Sequence, residues 1–389
     1  MGPLRKTFIR ATLTMVGMII GAGIFGVPSV IADVGIVAGT ILFWGTWCVV
    51  LATHLLFLEL IALSDSSDKK KKEERRHRLP GYVSGALGSW LKYVTAGVQS
   101  FKLIGVSFAY LILGGEFLEM LFLGLGIHVD LVFLEVLFWI LGAISILFAL
   151  RIVSKIESVI TWVLLAVLIV IIGSAGMRMD FSQLTFSNWN HAFAPIGIFL
   201  FSLFGMTSIP EIFEIAGRRI ERSRYAVAVG SFVTALLTWL FGVSIVLAVP
   251  AGTPLDRTAM ISILPHAIWW TLPLLGLFAV LTSFIINAFT LKMMYQLELK
   301  QPIWISRFIA LGIPLFLLFI LQRDFLKVLD VVGTFFTGGL AVLVTLSAYV
   351  VMHREKEAHP FWWRTIIPLF SAGFFIVIML SRVVGEGTT

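Results

Sequence analysis

Residues Gly17–Ser29 read GMIIGAGIFGVPS. Gly17, Gly21, Gly23 and Gly26 fall within ten residues, and Pro28 follows two residues later. Glycine and proline are the poorest residues for a helix interior, yet the stretch opens the first long apolar run of the chain. A membrane-spanning segment that contains a helix breaker needs a reason for it. In hydrocarbon every backbone N–H and C=O must be paired, and unwound backbone is tolerated only where it lines a polar cavity or is buried in protein.

Composition supports the membrane reading. The 389 residues are 59% hydrophobic and 13% charged, and mean hydropathy is +0.99. A soluble domain carries about 25% charged residues. A spanning helix needs roughly 20 apolar residues. Apolar runs occur at about 8–31, 36–63, 89–122, 130–150, 155–177, 191–216, 224–250, 265–294, 302–321, 325–351 and 364–383, which predicts an all-α integral membrane protein with eleven spans. The N-terminal MGPLRKTFIR lacks a small-residue cleavage site, so the first run is expected to be a retained helix. The single cysteine, Cys48, excludes an internal disulfide and a cysteine-based metal site.

The formal charge of +7 is distributed by topology, which argues against a nucleic-acid partner and for membrane lipid. Basic residues gather in alternate loops: Arg5, Lys6 and Arg10; Lys69 to Lys72 with Arg75, Arg76 and Arg78; Arg151 and Lys155; Arg218, Arg219, Arg222 and Arg224; Lys292 and Lys300; and Arg354, Lys356 and Arg364. The opposite loops hold Arg178, Arg257, Arg323, Lys327 and Arg382. The positive-inside rule then puts the N-terminus in the cytoplasm, and eleven spans put the C-terminus outside. The polybasic Asp65–Gly88 loop is expected to be a solvated loop that enforces this topology.

A second break lies in the sixth run, APIGIFLFSLFGMTSIPEIFEIAG, near Gly205–Pro210. Paired Gly/Pro interruptions in two halves point to a transporter binding site. Five spans separate the breaks. The expected organisation is one transmembrane domain over 1–389, with one repeat at about 8–177, an inverted repeat at about 191–351, and an extra helix at about 364–383. At such breaks freed N–H groups can hold a carboxylate and freed carbonyls an ammonium or a cation. Glycine supplies the dihedral freedom and the close approach.

GMIIGAGIFGVPSVIADVG resembles the first-helix motif of the amino acid–polyamine–organocation superfamily, and IIGAGIFGVP is close to the aromatic and hydrophobic amino acid permease branch. FGMTSIPEIFEIAGRRIERSR is similar to the sixth helix of that superfamily. The resemblance implies a five-plus-five inverted-repeat, leucine-transporter-like fold, alternating access and amino acid transport. Carried over by position, it implies that the amino acid lies against Gly21, Ala22, Gly23 and Ile24, and against Phe201, Phe204, Gly205, Met206, Thr207 and Ser208. Phe201 matches an aromatic gate of some relatives. Thr207 stands where arginine-exchanging relatives carry an acidic residue, which argues against a dibasic substrate.

Few polar residues remain inside the runs. Lys102 lies half-way along the third, where a charge is expensive and so expected to face the interior or be neutral. It is a candidate proton relay or a substitute for a coupling cation, although relatives with such a lysine place it on the fifth helix, and the fifth run here has only Lys155. Thr282 and Ser283 in the eighth run match in type and depth a hydroxyl pair that binds sodium in sodium-coupled members of the fold. Asp330 is a further candidate for ion coupling. Glu116 and Glu119 are expected at the membrane interface, Glu211 and Glu214 to pair with Arg218 or Arg219, and His54 and Glu59 to be structural. No nucleotide-binding loop, nucleophile elbow, cofactor motif or metal-ligand spacing occurs, so an enzyme is not expected. Nor is there a charged ring for an ion channel. The expectation is a secondary transporter in the cell membrane, importing neutral hydrophobic or aromatic amino acids with a proton or sodium ion; an exchanger or a sensor is the alternative.

Overall fold

Apolar runs become helices because a helix pairs its own backbone groups within the segment. The computed structural model describes residues 3–66, 79–148, 150–185, 187–189, 192–250, 255, 269–354 and 360–386. The helices are α1 (Pro3–Ile19), α2 (Val27–Val34), α3 (Ile36–Ser66), α4 (Leu79–Leu87), α5 (Leu91–Gly124), α6 (Leu131–Phe148), α7 (Leu150–Gly176), α8 (Ile196–Leu203), α9 (Ile209–Ile215), α10 (Ile220–Ala248) and α11 (Thr271–Leu297). There follow α12 (Ile303–Arg307) and α13 (Ile313–Ile320), joined by a π-turn, α14 (Phe325–Val331) and α15 (Gly338–Arg354), joined by a second, and α16 (Ile367–Glu386). No strand occurs among the described residues.

Eight helical segments of at least 18 residues are apolar enough to cross a membrane, and Arg5–Ile19 with Ala22–Val34 adds a ninth bent by 49°. Leu131–Ile146 and Trp162–Gly176 are shorter apolar helices. The chain is therefore an all-α, multi-pass membrane protein. The polybasic stretch Lys69–Arg78, together with Arg257 and Lys356, lies outside the described residues.

Both expected breaks are present and share one construction. In the first run α1 stops at Ile19, Gly21 is extended, a 3-10 turn covers Ala22–Gly26, and α2 begins with Pro28 in its first turn. In the sixth run α8 stops at Leu203, Phe204 is extended, a 3-10 turn covers Met206–Ser208, and α9 begins with Pro210 in its first turn. Proline is suited to that place, because its missing N–H would be unpaired there anyway. Gly35, at φ 87°, ends α2 in a region that side chains rarely enter.

Burial separates centre from perimeter. The broken segment Ile196–Ile215 is 83% buried, whereas Ile303–Ile320 and Trp362–Val384 are each 28% buried. The second broken helix is thus walled by protein, and the last spans face lipid. The long α5 packs along α11 and against α6, while α3 packs against α10 and α15.

Ion pairs stitch the perimeter. Glu59 on α3 pairs with Arg224 on α10. Glu214 pairs with Arg218 one turn further on, at 2.5 Å, so the expected pairing forms but stays within one segment. Glu135 on α6 pairs with Arg323 at 3.2 Å. Glu116, near the end of α5, is 8% exposed, because α6 folds back over α5 and lays Glu135 on the adjacent Gly115. The last span, expected as an appendage, is anchored through Arg382, which pairs with Asp330 on α14 and donates to the Ala194 carbonyl at 3.3 Å.

Candidate functional site

The first break is wholly buried from Gly21 to Gly26. The Ser202 hydroxyl on α8 shares its one proton between the Gly23 carbonyl at 2.7 Å and Ile198 O of its own helix at 2.8 Å. Gly23 has no room for a side chain: a Cβ there would lie 2.8 Å from Ser202 Cα and 3.0 Å from the Phe201 ring. The two broken helices are therefore in direct backbone contact at the level of the breaks.

Gly21 faces the other way. A Cβ on it would lie 3.4 Å from Ser283 Oγ and 4.0 Å from the Tyr110 hydroxyl. Tyr110 on α5 and Ser283 on α11 share a hydrogen bond. The Thr282 hydroxyl instead donates within its own helix, to Phe278 O and Ala279 O at 3.0 Å each. The two adjacent hydroxyls thus divide: Ser283 adjoins the break, and Thr282 satisfies α11. Asn287, one turn on, ties α11 to α5 by donating to Leu103 O at 2.7 Å and to Ser107 Oγ at 2.8 Å.

The second break has a cation and an imidazole beside it, both against Phe204. Lys102 Nζ lies 4.8 Å from the centroid of the Phe204 ring, a favourable cation–π distance. The His54 ring lies 5.5 Å from the same ring, centroid to centroid. The Gly205 N–H, unpaired by the end of α8, donates to His54 Nε2 at 3.1 Å. Ser208 closes the turn by donating to the Gly205 carbonyl at 2.8 Å.

A cavity of about 330 Å³ ends on this break, within the range of small-ligand pockets. Gln99, Lys102, Phe204, Thr207, Glu211 and Phe289 line it, and it runs to the end of the bundle that carries Leu79, Pro80 and Glu298. Among the residues expected to bind substrate, Phe204, Met206 and Thr207 line this cavity. Gly21, Ala22, Gly23, Ile24, Phe201, Gly205 and Ser208 do not line it, and Ile24 lines a small separate cavity with Phe25 and Phe241. Among the residues expected to couple ions, Lys102 lines the cavity and Ser283 adjoins the first break. Asp330 stands apart, in the pair with Arg382 and 3.4 Å from the Thr334 hydroxyl. No cluster of metal-ligating residues occurs among the described residues.

Sequence reasoning did not single out Tyr110 and treated His54 as structural. The signal for His54 was present, since a histidine inside an apolar run is costly without a polar partner. Its partner, a backbone amide 151 positions away, carries no side-chain mark in the sequence.

No curated protein sequence matches this chain at a significant level. Residues 5–385 match the tryptophan/tyrosine permease family. That match takes in both breaks, the cavity and every helix that lines it, so the chain belongs to the tryptophan/tyrosine permease family.

Proposed function

We propose that this protein is a secondary active transporter that imports aromatic or other hydrophobic amino acids across the cell membrane by alternating access. The observation that carries the reading is the cavity that ends on the broken sixth run in a chain of the tryptophan/tyrosine permease family. The substrate carboxylate and ammonium bind the freed backbone groups of the two breaks. Its side chain lies among Phe204, Phe289 and Met293, which line the cavity. Thr207 offers no negative charge for a cationic side chain.

The architecture that serves this is a five-plus-five inverted repeat, at about 8–177 and 191–351, with eleven spans and an extra helix at about 364–383. The shared construction of the two breaks supports it. With the N-terminus cytoplasmic by the distribution of Lys and Arg, the cavity opens inward, and the C-terminus lies outside. The coupling ion is a proton or sodium. Ser283 beside Gly21 is the place for sodium, and the group around Phe204 is the place for a proton. The alternatives, an exchanger and a sensor with little transport, make different predictions for the same assay.

Purified protein in liposomes, given labelled tryptophan, tyrosine, leucine or alanine under an imposed sodium or proton gradient, is expected to accumulate tryptophan or tyrosine. Movement only against internal amino acid, with no response to either gradient, would show an exchanger. Folded protein that moves none of the four would overturn transport and leave the sensor.

A further inference from the structure

His54 is fully buried in α3, and among the described residues its one hydrogen bond is the one that Gly205 N–H donates to Nε2. An imidazole that accepts at Nε2 is neutral and carries its proton on Nδ1. His54 Nδ1 is buried and has no hydrogen-bond partner among the described residues. The arrangement therefore stands on one lone pair. An imidazolium has none, because both ring nitrogens are donors. Protonated His54 and the Gly205–His54 bond cannot coexist.

We propose that His54 carries the coupled proton of this transporter, exchanging its hydrogen bond with the Gly205 amide for a proton on Nε2. The inference rests on the transport reading and names the site of its proton. The step is balanced: one proton enters, the Nε2 lone pair forms the N–H bond, and the hydrogen bond from Gly205 breaks. The amide set free belongs to the break, next to the cavity wall made by Phe204 and Met206. A substrate carboxylate can take the place of Nε2 as the acceptor for Gly205. Once there it faces two positive groups, the imidazolium and Lys102, both against the Phe204 ring. The carboxylate offsets their mutual repulsion, so substrate favours the proton and, by linkage, the proton favours substrate. That reciprocity is what symport requires.

The surrounding charges leave the role to this pair. Lys102 faces the ring from α5 and has no ion pair among the described residues. Glu211 lines the cavity further along α9. On the elements packed against α3, Arg224 pairs with Glu59, Glu214 with Arg218, Arg354 with the Ala86 carbonyl and Arg382 with Asp330, while Asp33 stands near the end of α2 and Glu221 and Arg222 in the first turn of α10. His353 on α15 bonds the Tyr349 carbonyl of its own helix.

The test compares His54→Gln with Lys102→Gln in liposomes, using labelled tryptophan. Glutamine keeps an acceptor for Gly205 but cannot titrate. Two assays are run: accumulation driven by a proton gradient, and counterflow against internal tryptophan, which needs no net ion movement. The expected result for His54→Gln is counterflow that is weakened but measurable, because a substrate carboxylate is a stronger acceptor than the glutamine carbonyl and displaces it from Gly205, with proton-driven accumulation lower by about tenfold or more. Lys102→Gln removes a positive group that faces the substrate carboxylate, so it is expected to lower accumulation and counterflow together while the ratio of proton-driven to undriven uptake is kept. Proton-driven accumulation that survives in His54→Gln overturns the proposal. So does loss of counterflow in folded His54→Gln, which makes the residue structural, and so does loss of the proton response in Lys102→Gln alone. If the unmodified protein is driven by sodium and not by protons, this proposal falls while the transport reading stands. If it moves no amino acid, both fall.

Discussion

Replacing Gly23 by alanine is expected to remove uptake. The added Cβ would lie 2.8 Å from Ser202 Cα and 2.9 Å from Ser202 Oγ, closer than such atoms approach. The hydroxyl could turn away, but the Cα belongs to the backbone of α8 and cannot. The two broken helices must then separate at the level of the site. Overpacking a tight contact costs about 1–3 kcal/mol, and rigid backbone puts this case at the upper end, which is about 100-fold in the competent population. Initial rates of tryptophan uptake, normalised to folded protein, check it. The control is Gly45→Ala on α3, where nothing lies within 4 Å of the added carbon. That variant is expected to transport normally and to gain up to about 1 kcal/mol of stability from reduced chain entropy. Normal uptake by Gly23→Ala would show that the contact between the breaks is not needed.

Arg323→Ala is expected to have the largest effect on stability. Its partner Glu135 has a side chain with no exposure, whereas the Arg323 side chain is 38% exposed. Removing the arginine leaves a carboxylate buried between α5 and α6, with Glu116 close by on α5. Breaking a buried pair from one side costs about 3–5 kcal/mol, and the part-exposed arginine places this pair near 3. Thermal unfolding in detergent should show a clear drop in midpoint. Adding Glu135→Gln removes the stranded charge, and the double variant is expected to recover most of the loss. Equal midpoints for Arg323→Ala and the unmodified protein would show that Glu135 is relieved by other means.

The breaks were legible because lipid leaves few options. Gly21, Gly23 and Gly26 before Pro28, and Gly205 before Pro210, mark places where a helix cannot continue, and both are interrupted there. The helical class followed from run length for the same reason. What stayed hidden depends on rotation about helix axes and on partners without a side-chain signature. Thr282 and Ser283 look equivalent in the sequence, but only Ser283 adjoins Gly21. Lys102 calls for a carboxylate on charge grounds, yet the group it meets is the Phe204 ring. His54 meets a backbone amide. Asp330 reads as a free acid until Arg382 is brought back from a span 52 positions later.

The Ser202–Gly23 contact also has a kinematic consequence. Two helices broken at one depth could in principle hinge independently, each with its own swing. A hydrogen bond of 2.7 Å to the carbonyl of a glycine that has no space for a side chain removes that independence. The breaks behave as two leaves pinned at one knuckle. Under the proposed alternating access α1 and α9 flex about it, while α8 and the first break translate together. In that proposed motion the moving part has one principal degree of freedom, and its natural reference frame is the α5–α11 pair held by Asn287.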